Sequence, residues 1–353
     1  MNRLRGVNFG GWLSQLDAIE EKDPASFGGP DIHMHTFIEE TDFRRVYSFG
    51  FNHVRLPVDW EHFFAEDGSP KENRLHRLDD AFSFALANHL TLMLDLHKCP
   101  GHTFHDVNNA QQQIFSDESY VLRTLRIWSV LAERYGGFPN AIFEALNEPV
   151  APDAVTWNRL KDRLCLAIRQ QAPDTPIVTG SNMWHWPSTF AQLTPVPDDN
   201  VIYCFHFYEP LLFTHQQAPW LPEVEFRRAY AYPADYGPGV TRMYDLVQSR
   251  GRWDRSRMED ELAPVLRFRD AHHVTAICNE FGTWAGAPRE DQLRWTADFL
   301  DVLKRNDIGW SYWNYKNLDF GIISMNERLH ESLPRYNNPQ SMDTELLALL
   351  RNG

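Results

Sequence analysis

Eight short β-rich segments alternate with longer amphipathic stretches along the whole chain, and this alternation limits the fold more than any other feature. The segments are 4–9, 53–58, 91–96, 141–146, 176–180, 201–208, 274–280 and 309–315. Between them, apolar residues recur near every 3.6 positions over 41–49, 77–88, 119–135, 157–171, 258–272 and 290–305, the spacing of helices with one buried face. Strand–helix alternation of this kind specifies βαβ units around a parallel sheet. Eight strands favour closure into a (β/α)8 barrel over an open doubly wound sheet, and 353 residues with no linker or low-complexity run fit one domain, 1–353.

In such a barrel the chemistry gathers where the strands end. Here six of the eight segments finish on a polar or aromatic group. Arg55 lies near the end of the second and His97 just after the third. Asn147 and Glu148 follow the fourth, His206 and Tyr208 end the sixth, Glu280 ends the seventh, and Trp313 is near the end of the eighth. Period-two geometry puts His206 and Tyr208 on one face, and likewise Cys278 and Glu280. Cys204 and Cys278 are therefore expected inside the barrel below the site. Glu144 shares that inward parity and is expected to be buried and paired, because an unpaired buried charge is too costly.

Two carboxylates facing one another across a barrel mouth are the equipment for cleaving an acetal: one donates a proton to the leaving oxygen, the other meets the developing oxocarbenium. Glu148 and Glu280 are the candidates, on strands that face each other across the mouth. Asn147 is placed to bond a substrate hydroxyl, and Arg55 and Tyr208 to hold Glu280 ionised. A single glutamate at a strand end is ordinarily a solvated or capping residue, and single histidines such as His97 or His206 are ordinarily structural. It is the ordered set that carries the reading.

That set resembles glycoside hydrolase family 5, the cellulase-like retaining enzymes of clan A. The run Ala141-Ile142-Phe143-Glu144-Ala145-Leu146-Asn147-Glu148-Pro149 is similar to the family's Asn-Glu-Pro signature. Further matches are Arg5-Gly6-Val7-Asn8-Phe9-Gly10-Gly11-Trp12, Val54-Arg55-Leu56-Pro57, Asp95-Leu96-His97, His206-Phe207-Tyr208, Asn279-Glu280-Phe281-Gly282 and Trp313-Asn314. The resemblance implies a single (β/α)8 barrel with its site at the C-terminal strand ends, Glu148 as acid/base and Glu280 as nucleophile. It also implies retention of configuration, no metal or organic cofactor, and a β-linked oligo- or polysaccharide substrate. β-Glucans or their oligosaccharides are the expected substrates, cleaved by endo-β-1,4-glucanase or exo-type β-glucosidase action. β-Mannan hydrolysis and exo-β-1,3-glucanase action on the same frame are the alternatives.

Flat aromatic faces stack on pyranose rings, so Trp12, Trp184, Trp284 and Trp313, all at or beyond strand ends, are candidate groove residues alongside Lys316. The aromatic, proline-rich stretch at about 210–251 is long for a loop and is expected to wall the cleft, which favours short chains or chain ends.

The remaining composition narrows the partners. A net charge of -14, from 48 acidic and 34 basic residues, argues against nucleic acid and anionic membranes and for a neutral ligand. No stretch approaches the roughly 18 apolar residues of a membrane span, and the start of the chain shows no apolar leader, so a cytoplasmic protein is expected, or a secreted one whose leader has been removed; a monomer or small homo-oligomer is expected. Cys99, Cys165, Cys204 and Cys278 form no CxxC pair. A metal-dependent barrel hydrolase is the rival from another class, since His33-Met34-His35 has the His-x-His form and His97, His206 and Asp95 could add ligands. That pair follows the loop Gly28-Gly29-Pro30 instead of closing an apolar strand. A sugar-binding barrel without catalysis is the second rival, disfavoured by the presence of both carboxylates.

Overall fold

The computed structural model describes residues 3–22, 27–104, 112–221, 224–237, 251–323 and 342–353. Eight parallel strands close into a barrel: β1 Arg5–Asn8, β2 His53–Asp59, β3 Thr91–Lys98, β4 Ala141–Glu144, β5 Ile177–Gly180, β6 Val201–Phe207, β7 Thr275–Phe281 and β8 Gly309–Tyr312. Each pairs with its neighbour in sequence. β1 closes the ring against β8 with Arg5 opposite Trp310, and against β2 with Asn8 opposite Arg55.

Alternation along the strands divides the apolar residues into two layers. Leu4, Met93, Ile142, Val178, Ile202, Cys204 and Ile277, drawn from six strand segments, form one buried cluster, which strands of a ring can build only by pointing inward. Their sequence neighbours Leu92, Leu94, Phe143, Ile177, Tyr203, Phe205 and Cys278 face the other way and join the larger cluster made with the helices. Fully buried Trp128 and Trp157 tie helices to strand ends, their indole nitrogens donating to the carbonyls of Ala145 and Gly180 at 2.8 and 2.9 Å.

Two local departures from the periodic reading have plain causes. The predicted helix 258–272 is two helices, Arg255–Glu261 and Ala263–His272, because Pro264 cannot donate into a continuing helix and sits in the first turn of a new one. Strand β4 is shorter than predicted and stops at Glu144, so Asn147 and Glu148 lie on the loop beyond it.

Within the expected wall, residues 222–223 and 238–250 lie outside the described ones. The rest folds back on the barrel mouth. Leu211, Leu212, Ala218, Leu221 and Phe226 form an apolar cluster with Trp186, Trp284, Trp313, Leu318 and Phe320 from other strand-end loops. Further along, Tyr232 anchors the stretch on helix Arg289–Arg305 by donating from its hydroxyl to Asp298 at 3.0 Å. Among the described residues no helix is long and apolar enough to cross a membrane.

Candidate active site

The site is built around a guanidinium with no access to solvent. Arg55 on β2 donates from Nε and Nη2 to the two oxygens of Glu144 at 2.6 and 2.9 Å. From Nη1 it reaches Asn8 Oδ1 at 2.9 Å and Glu280 Oε1 at 2.5 Å. From Nη2 it meets Asn147 Oδ1 at 2.8 Å and Asp95 Oδ2 at 2.9 Å. A fully buried arginine requires such company, since desolvation opposes its charge and only nearby carboxylates restore it. Glu144 is therefore buried and paired, as its parity implied.

Glu280 reaches the mouth by a bulge. Along β7, Phe205 of β6 faces Cys278 and the next residue, His206, faces Glu280, so Asn279 is an extra residue in the pairing. This reverses the phase of the strand. Ile277 points into the barrel, Cys278 packs outward with the helix layer, and Glu280 turns back to the inside. The expectation that Cys278 lies inside on the face of Glu280 is corrected accordingly; Cys204 does point inward. Glu280 accepts the Tyr208 hydroxyl on Oε2 at 3.0 Å as well as Arg55 on Oε1.

Glu148 sits beyond the end of β4 with φ 44, a left-handed conformation that a side chain disfavours and that the surrounding loop must hold. Its Oε1 is 2.7 Å from His206 Nδ1, which itself lies 3.5 Å from Glu280 Oε2. Carboxylate oxygens of Glu148 and Glu280 come within 4.8 Å of each other and of that imidazole. The environments of the two acids differ. Burial raises Glu148 well above the ordinary carboxylate range, and the charge of Glu280 raises it further. Burial also raises Glu280, to about 7, but Arg55 and the Tyr208 hydroxyl pull against it. The proton thus resides on Glu148 and the charge on Glu280. His206, fully buried beside Arg55, is held neutral.

Asn147 accepts from Arg55 while its buried Nδ2, with no partner among the described residues, remains a donor. His102 fixes this loop from behind, its Nε2 donating to the Asn147 carbonyl at 3.1 Å. His97 is held through Nδ1 by Asp95 Oδ2 at 2.8 Å, with its ring parallel to Trp313, centroids 5.8 Å apart. Trp313 is nearly buried, and Gly10 lies against its ring so closely that any Cβ there would collide with it. Trp184 lies in a left-handed turn after β5 and donates from its indole nitrogen to the Phe104 carbonyl at 3.2 Å. Trp284 packs against Phe320 and edge-on to Trp220, in the apolar cluster that holds Trp313.

Two candidates are placed elsewhere. Trp12 is a core residue, 1% exposed, with its nitrogen donating to the Met34 carbonyl at 2.9 Å and its ring against Phe9 and Phe43. Lys316 turns away from the mouth to the Phe37 carbonyl at 2.5 Å, beside the Phe37 ring. Asp95, Asn8, His102 and Gly10 were not singled out as site residues for sugar chemistry; the inward parity Asp95 shares with Arg55's level and with His97 was the available signal.

Among the described residues, three groups have metal-ligand proximity: Glu144, His185 and Cys204; Asp59, Glu61 and His62; and Glu148, His206 and Glu280. In the first, both Glu144 oxygens already accept from Arg55 and both His185 nitrogens meet backbone carbonyls. In the second, Lys98 already sits on Asp59 at 2.8 Å. The third is the carboxylate pair itself. His33 and His35 diverge, the first buried and bonded to the Gly11 carbonyl, the second exposed on its own helix.

Carboxylate oxygens that come within 4.8 Å of each other belong to the close pairing that suits direct attack by one carboxylate, not to the wider pairing with which an inverting enzyme makes room for a water. Residues 18–319 match the family profile described as Cellulase (glycosyl hydrolase family 5). Endoglucanase C of Acetivibrio thermocellus is 33% identical over 332 residues, covering 90% of this chain and 93% of that protein. Cellodextrinase A of Ruminococcus flavefaciens is 31% identical over 308 residues, covering 86% and 83%. Endoglucanase Cel5A of Thermotoga maritima superposes with a TM-score of 0.75 at 22% identity over 98% of this chain and 96% of that one, which shows the shared barrel. The chain belongs to glycosyl hydrolase family 5 and is a retaining glycoside hydrolase.

Proposed function

We propose that the enzyme hydrolyses β-1,4-linked glucans, short cello-oligosaccharides foremost, by double displacement with Glu280 as nucleophile and Glu148 as acid/base. The observation that carries the mechanism is the approach of the two carboxylates within 4.8 Å around His206, one favouring its proton and the other its charge. In the first step a Glu280 oxygen forms a bond to the anomeric carbon. The glycosidic bond breaks, and its oxygen takes the Glu148 proton. In the second, Glu148 removes a proton from water, whose oxygen attacks the same carbon and expels Glu280. Asn147 Nδ2 is the donor available to a sugar hydroxyl at the reacting ring, and Trp313 the flat surface against which that ring lies.

The substrate class is supported by the relatives, an endoglucanase and a cellodextrinase that each match most of this chain. Preference for short chains is supported by the packing of Leu211, Leu212, Ala218, Leu221 and Phe226 in one cluster with Trp284 and Trp313, which builds up one side of the mouth. A third relative, described as a probable glucan 1,3-beta-glucosidase A of Aspergillus fumigatus, is 31% identical over 356 residues and keeps β-1,3-linked glucans as the second reading. Product analysis on cello-, laminari-, manno- and xylo-oligosaccharides tests this. Cello-oligosaccharides of three to six units should be cleaved at least tenfold faster than the others; a faster laminari or manno series would overturn the assignment.

A further inference from the structure

Arg55 is surrounded by more carboxyl groups than one guanidinium balances, and burial drives Asp95 well above the ordinary carboxylate range against the pull of Arg55. Asp95 on β3, Glu144 on β4 and Glu280 on β7 meet it at 2.9, 2.6 and 2.5 Å, and Asp95 and Glu144 are without any solvent exposure. Glu144 takes two of its five N–H groups and Asn8, Asn147 and Glu280 take one each, so Asp95 meets Nη2 as a further counter-charge with no N–H of its own. We propose that Asp95 and Glu144 are positioning residues for the nucleophile, dividing Arg55 among three carboxylates so that Glu280 stays more basic than in a private pair with Arg55. The proposal rests on the reading of Glu280 as nucleophile.

The groups facing Glu280 make the sharing effective. Arg55 comes from β2, Asp95 and His97 from β3, Glu144 from β4, Glu148 from the loop beyond it, and His185 from the turn after β5. His206 comes from β6 and Tyr208 from just beyond it, while Cys278 on the nucleophile's own strand faces the helix layer. His206 and His185 are kept neutral by burial, so Arg55 is the permanent positive charge in this set. Every anion that shares it weakens its hold on Glu280, in keeping with the opposing pulls of Arg55 and Glu144 on that carboxyl. A more basic carboxylate attacks the anomeric carbon faster. Asp95 has a second bond that an isolated counter-charge would not need: the same Oδ2 receives His97 Nδ1. It therefore sets the height of His97 and the charge around Glu280 through one oxygen.

The test is the pH dependence of trapping by 2,4-dinitrophenyl 2-deoxy-2-fluoro-β-cellobioside, whose leaving group needs no proton from Glu148. The acid limb then reports the nucleophile alone. Asp95→Asn removes the ionisable carboxyl while an amide oxygen in place of Oδ2 still meets Arg55 and His97. Glu144→Gln is the companion. In each the acid limb should move about one unit lower, because a competing negative charge is gone, and the plateau rate should fall severalfold. A merely structural role would lower the rate with the limb unmoved. An unmoved or raised limb in Asp95→Asn, with a melting temperature near that of the parent, overturns the proposal whether or not Glu144→Gln folds. Peptide mapping of the trapped parent separates the two claims. Absence of label on Glu280 sinks the nucleophile assignment, whereas label on Glu280 with an unmoved limb sinks only the sharing of Arg55.

Discussion

Replacing Gly10 by alanine tests the aromatic floor without touching a polar group. A Cβ on Gly10 would stand 2.5 Å from Trp313 Cη2 and 2.9 and 3.0 Å from Cζ2 and Cζ3. Carbon atoms rest at about 3.5–4.0 Å, so the ring edge must retreat by about 1 Å. It has little room, being 6% exposed, parallel to His97 on one face, and held at its amide by the Phe281 carbonyl at 2.9 Å. Overpacking of this size costs about 1–3 kcal/mol. If a similar amount is lost from the transition state, kcat/KM falls about 10- to 100-fold. Thermal melting and steady-state kinetics on an aryl β-cellobioside measure both effects. The clashing atoms all belong to the six-membered ring of the indole, so the same alanine in a Trp313→Phe background should cost less, a coupling a double-mutant cycle reads directly. A Gly10→Ala enzyme within twofold of the parent, with unchanged melting temperature, would refute the assignment of Trp313 as a fixed platform.

Other outcomes follow from the same geometry. Glu148→Ala should still be glycosylated by activated aryl glycosides, with azide restoring turnover; no rescue would count against its acid/base role. Glu148→Gln should melt a few degrees higher than the parent near pH 8 and together with it near pH 4.5. Folding raises the pKa of Glu148 and makes it a weaker acid, so the unfolded chain gives up that proton first and the parent loses stability as pH rises; calorimetry across this range checks it. Arg55→Lys should cost about 3–5 kcal/mol of stability, because one ammonium cannot satisfy three buried carboxylates, and should lower kcat/KM at least a thousandfold.

The barrel was legible because its strands are short, apolar and regularly spaced, and because strand ends carry the polar groups. All eight segments became strands in order. Arg55, Asn147, Glu148, His206, Tyr208 and Glu280 were named from motif and strand-end position, and they converge on one mouth. What periodicity missed was a change of phase. The extra residue Asn279 turns Glu280 inward and Cys278 outward, and a bulge leaves no mark in the alternation of polar and apolar residues. Trp12 and Lys316 failed for a related reason: position beyond a strand end does not say which way a loop side chain turns. The nearby helices offered Trp12 an apolar niche and Lys316 a carbonyl. Asp95 enters the sequence reading only within the Asp95-Leu96-His97 match and as a conceivable metal ligand, since a carboxylate inside a strand acquires its meaning from the arginine on the neighbouring strand, which no local pattern reveals.

The account stands or falls on the stereochemistry of cleavage. Proton NMR of cellotetraose hydrolysis, followed from the first minutes, distinguishes the anomers before mutarotation mixes them. Two carboxylates this close, with Glu280 attacking directly, predict that the β-anomer of the new reducing end appears first and the α-anomer grows in later. An α-anomer formed first would mean that water attacks in a single step, and would contradict the assignment of Glu280 as nucleophile.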